Sequence, residues 1–98
     1  MNDNNKNLTM EIESEVSKAL IKHLQNKTKV QNIDLMNLAD FCRNCLSKWY
    51  VDAAKDKGLE ISYDDAREIV YGMPYRDWKS KYQKEASQEQ LDEFNSKK

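Results

Sequence analysis

Apolar residues in this chain recur at three- and four-residue steps, and no stretch shows the two-residue alternation of a half-buried strand. Ile12, Val16, Leu20, His23 and Leu24 form one stripe, which predicts a first helix over about 9–27 with Thr9 as its N-cap. Gln31, Asn32, Ile33 and Asp34 then read as a turn, with Asp34 placed to cap the helix that follows. That second helix, about 35–57, is the best-defined element. Leu35, Leu38, Ala39, Cys42, Cys45, Leu46, Trp49 and Ala53 share one broad face, and Gly58 supplies a left-handed stop.

Three shorter helices follow. Ser62 opens one, with Asp64 and Asp65 suited to its electropositive first turn and Gly72 closing it. Pro74 fits the start of the next, whose stripe is Tyr75, Trp78, Tyr82 and Ala86. Ser87 and Gln90 have capping-box spacing and begin a last helix carrying Leu91 and Phe94. The expected fold is all-α: a compact array of about five helices around a long central helix over 35–57. Residues 9–98 form a single domain, and the polar, Asn-rich residues 1–8 form a disordered tail.

Composition changes this picture in two ways. The apolar fraction is 39% and the charged fraction 34%, so the core is thin and helix faces are broadly solvated, or the core is completed by a second copy. Lys and Arg number 16 against 17 Asp and Glu, and this balance argues against nucleic-acid binding, whose affinity rests on a basic footprint. Lys22, His23, Lys27 and Lys29 cluster only where they complement a helix C-terminus. No apolar run is long enough to cross a membrane and no export signal is recognised. The expected setting is therefore cytoplasmic, where thiols stay reduced.

The chemically suggestive feature is Cys42-Arg43-Asn44-Cys45. A redox dithiol needs a lowered thiol pKa, normally supplied by a helix N-terminus or a cation. Placed two turns inside a helix, the pair lacks the first, and helical Cβ atoms three residues apart sit too far apart for a disulfide. Zinc or iron would use Cys42 and Cys45, with His23 a weaker third candidate. One chain then falls short of the usual four ligands, and a dimer would have to complete the site. The plainer reading is two small buried hydrophobes. Arg43, Asn44 and Lys48 fall off the apolar face, and with Tyr75 they form the candidate interaction surface. No phosphate-binding glycine loop, nucleophile elbow or paired metal-binding histidines occur, so no catalytic residue is assigned.

Three runs carry a further signal: Asn32 to Leu38, Phe41-Cys42-Arg43-Asn44-Cys45-Leu46-Ser47-Lys48-Trp49-Tyr50, and Ala66 to Tyr75. So does Trp78-Lys79 followed by Tyr82 to Ala86. Over about Val30 to Phe94 the chain resembles the small bacterial proteins grouped as domain of unknown function 1244. The resemblance implies a compact helical cytoplasmic protein and supplies no catalytic residues. It also marks the Phe41–Tyr50 run as a family signature, which makes the cysteine pair less incidental. The functional expectation is a non-enzymatic interaction or regulatory module acting as a homodimer. The alternative is a metal- or thiol-dependent protein built on Cys42 and Cys45.

Overall fold

The computed structural model describes residues 3–97, with side-chain surroundings from residue 5 onward. Six helices follow one another among them: α1 (Asp3–Asn26), α2 (Asn32–Ala39), α3 (Arg43–Asp56), α4 (Tyr63–Tyr71), α5 (Tyr75–Tyr82) and α6 (Gln88–Ser96). The all-helical expectation holds, and so do the starts of the later helices, but α5 stops at Tyr82 and leaves Ala86, expected on its stripe, outside it. Ser62 Oγ accepts the Asp65 N–H at 3.0 Å, Ser87 and Gln90 close a capping box, and Gly58 and Gly72 take the left-handed conformation.

Two expectations at the start of the chain are corrected. α1 begins at Asp3, so residues 3–8 are helical where a tail was expected; residues 1 and 2 lie outside the described part. Thr9 is no cap: its hydroxyl donates to the Asn5 carbonyl one turn back, a bond made inside a helix. Asp34 does cap α2, from within its first turn: its carboxylate accepts the Gln31 N–H at 2.9 Å as half of a capping box.

The long central helix is also corrected, because it is two helices. Asp40 takes a left-handed conformation (φ 59°), which Asp tolerates better than most residues, and its N–H closes α2 onto the Met36 carbonyl. Cys42 is extended (φ −145°, ψ −178°) and forms the N-cap of α3. The supposed single face therefore divides: Leu35 and Cys42 are buried, while Leu38 is 83% exposed and Trp49 56%.

α3 packs on α4, α4 on α5 and on the end of α1, and α2 on α6. Two small cores result. Leu24, Leu35 and Cys42 form one, Val70, Tyr71 and Trp78 the other, and Leu46 touches both. Between helices, polar side chains bond to backbone carbonyls at or near helix ends. Arg43 reaches the Lys27 carbonyl just past α1 at 2.9 Å, Lys97 the Met36 carbonyl in α2 at 2.9 Å, and Gln25 the Val70 carbonyl in α4 at 3.2 Å. Gln31 does the same for α5 through the Tyr82 carbonyl at 2.9 Å. The thin apolar core is thus supplemented by side chains that tie the end of one helix to another element.

Candidate dithiol site

The break at Asp40 decides the chemistry of the cysteine pair. Because Cys42 is extended and Cys45 lies in the first turn of α3, the two sulfur atoms come within 3.6 Å of each other. The geometric objection to a disulfide applied to two helical residues and no longer holds. Both thiols are free, Cys42 buried and Cys45 half-buried. Burial pushes the Cys42 thiol above its ordinary value, while the backbone N–H groups of Cys45 and Asn44, at the positive end of α3, pull it down. Cys45 is the sulfur more open to solvent, and the stacked rings of Phe41 and Trp49 (6.1 Å apart) flank it in sequence on either side.

Arg43 corrects the expectation of an exposed polar surface. It is 1% exposed. Its guanidinium donates to the Lys27 carbonyl at 2.9 Å and to Asn32 Oδ1 at 3.1 Å, and lies 4.9 Å from the centre of the Trp78 ring. Burial lowers its pKa, and the negative end of α1 together with the ring face compensate the charge. Ser47, also buried, returns a hydrogen bond to the Arg43 carbonyl at 2.9 Å.

Asn44 is half-buried and accepts the Tyr71 hydroxyl at 2.7 Å; that hydroxyl in turn accepts from Asn32 Nδ2 at 3.0 Å. Asn32 therefore joins Arg43 to Tyr71 and Asn44 in one polar chain. Asn44 and Tyr75 come together, lining a cleft of about 330 Å³ with Gln31, Asn32 and Gln83. Lys48 stands apart, exposed, its ammonium 6.0 Å from the Tyr63 ring. Of the expected surface, only Asn44 and Tyr75 share a site.

His23 is exposed on α1, and among the described residues no three His, Cys, Asp or Glu side chains gather as metal ligands. The parts sequence reading missed are Asn32, Ser47 and Tyr71 as polar partners. Their one signal is that each lies in a run quoted for the family resemblance; periodicity marks none of them.

No curated protein matches the chain. Residues 30–96 match the family described as protein of unknown function (DUF1244), a span that holds α2 to α6 and both cysteines and begins after α1. The chain belongs to that family.

Proposed function

We propose that this protein is a non-enzymatic regulatory module of the cytoplasm, acting as a homodimer, whose responsive element is the Cys42–Cys45 dithiol. One observation carries the dithiol reading: the pair sits at the N-terminus of α3 with its sulfurs 3.6 Å apart. A modest rotation of the side chains takes that separation toward the ~2.05 Å of a disulfide. The chemistry is exchange with a small disulfide. The Cys45 thiolate attacks one of its sulfurs and expels a thiolate; the Cys42 thiolate then attacks Cys45 and expels the second. The pair loses two electrons, the small disulfide gains them, and the two thiol protons end on the released thiols. Because Cys42 packs with Leu24 and Leu35, the step couples oxidation to the contact between α1 and α2.

Mass spectrometry of the native protein, equilibrated with mixtures of a small thiol and its disulfide, tests this. The expected product is an intramolecular disulfide, two hydrogens lighter, that a dithiol reductant reverses and that neither Cys42→Ser nor Cys45→Ser forms. Protein that stays reduced throughout, or forms only mixed disulfides, rejects the reading.

A second reading rests on the same distance. Two thiolates on a tetrahedral metal ion at ~2.3 Å each lie roughly 3.8 Å apart, close to the observed separation. Zinc or iron held this way needs ligands from a second subunit. Stoichiometric metal in protein purified without chelator, lost in Cys42→Ser, would favour it over the dithiol.

A further inference from the structure

α1 projects from the body of the protein. The molecule measures 53 × 27 × 24 Å, with a radius of gyration of 15.8 Å against about 13 Å for a globular chain of this length. Residues 5–20 are exposed throughout; contact with the body is made by the far end, where Leu24 is buried and Ile21, Gln25 and Thr28 are half-buried. At about 100° per residue, Ile12 and Val16 are turned well away from Ile21 and Gln25, and Leu20 stands one turn before Leu24, where the stripe meets the body. These three side chains are 60%, 65% and 42% exposed, and Leu8 continues the stripe at 54%. So long an exposed stretch of helix is marginal in water, and an apolar stripe of this kind calls for a partner.

The charges say which partner. Glu11, Glu15, Lys18 and Lys22 follow one another at steps of four, three and four, so they line a single flank of the stripe. The flank is acidic toward the N-terminus and basic toward the C-terminus, and its midpoint falls beside Val16. The apolar stripe has the same centre, with Ile12 one turn before Val16 and Leu20 one turn after. A second α1 laid antiparallel with the two-fold axis at Val16 satisfies both patterns together. Val16 meets its symmetry mate, Ile12 meets Leu20, Glu11 faces Lys22, and Glu15 faces Lys18. Parallel pairing would instead set this flank against the partner's opposite flank, where Glu13 and Ser17 lie and the complementary order of charges is missing. An anionic membrane surface would meet the glutamates of the flank, and Glu13 lies on the other side of the stripe.

We infer that α1 is a homodimerisation arm, pairing antiparallel with the same helix of a second copy through Ile12, Val16 and Leu20 and the Glu11–Glu15–Lys18–Lys22 flank. The inference rests on the homodimeric part of the proposed function and supplies its surface. The family match begins at residue 30, so the arm lies outside the matched region.

Analytical ultracentrifugation of the full chain across the micromolar range tests it. Wild type is expected to be a reversible dimer. Val16→Asp should weaken it by roughly two orders of magnitude in Kd, because a carboxylate would be buried against its symmetry mate. Glu11→Lys with Glu15→Lys, and separately Lys18→Glu with Lys22→Glu, should each weaken it about tenfold. All four changes together should restore wild-type affinity. None of these side chains belongs to either core, so native thiol exchange at Cys42 and Cys45 is unchanged in every variant. A strictly monomeric wild type overturns both this inference and the homodimeric reading. A dimer that persists in Val16→Asp overturns the surface alone, and a quadruple variant that stays weak overturns the antiparallel arrangement. Wild type that stays monomeric and co-sediments with phosphatidylserine vesicles would assign the stripe to a membrane surface and overturn the inference.

Discussion

Arg43 carries a positive charge into the junction of α1, α2 and α3 with no carboxylate among the described residues in hydrogen-bond contact. Its compensation comes from carbonyl oxygens at the end of α1, the Asn32 side chain and the Trp78 ring face. Removing it takes one donor from each of those acceptors and leaves a cavity beside Trp78, changes that together cost about 3–5 kcal/mol. Arg43→Ala should therefore unfold much of the protein at room temperature, and Arg43→Lys should rescue only part, because an ammonium cannot span acceptors on two elements. Urea titration followed by circular dichroism measures both. Tyr71 offers a second check at this scale. Burial raises its phenol well above the ordinary value, with the Asn32 hydrogen bond acting against that rise. The folded protein keeps that proton after the unfolded chain has lost it, so stability is full below the unfolded pKa of about 10 and falls as pH rises beyond it. The expected slope is up to about 1.4 kcal/mol per pH unit, and Tyr71→Phe should flatten it in thermal melts taken between neutral and strongly alkaline pH.

At the scale of elements, what matters is how helices end. α4 ends at Gly72, whose φ of 78° suits glycine, and a Cβ there would come within 2.9 Å of the Gln25 side chain. That amide is the one donating to the Ile69 and Val70 carbonyls, so Gly72→Ala both strains the turn and displaces the α1–α4 tie. A loss of about 1–2 kcal/mol is expected from the left-handed conformation alone. Chemical denaturation of Gly72→Ala against Gly58→Ala separates the two effects, since Gly58 has nothing within 4 Å of its Cβ position. α2 ends differently. Lys97, from the far end of the chain, donates to the Met36 and Asn37 carbonyls and pairs with Asp40 at 3.1 Å. Lys97→Ala should cost only about 1 kcal/mol, the pair being largely solvated. Faster amide exchange in α6 and at the end of α2, with the rest unchanged, is the expected signature.

The whole molecule divides into a body of α2 to α6, held by two small cores and polar ties between helices, and an arm, α1, fixed at one end. The division explains how a chain with 39% apolar residues keeps several large ones exposed. It also separates the two proposals: the dithiol lies in the body at the start of α3, and the dimer contact on the arm.

Sequence by itself determined the helical class and the starts of the later helices, because capping serines, Pro74 and the two glycines act through bonds and torsions within a few residues. It also brought Cys42 and Cys45 forward and grouped Ile12, Val16 and Leu20. Only the tertiary structure decided that the apparent central helix breaks at Asp40. No proline or glycine marks that point; the turn is held by α3 packing on α4, by Lys97 reaching back from the C-terminus and by the burial of Arg43. Periodicity assigns a charged residue to water, and here long-range carbonyls outweigh that rule. The same break turned the cysteine pair from mid-helix packing into a dithiol at a helix N-terminus, a change that contacts distant in sequence impose.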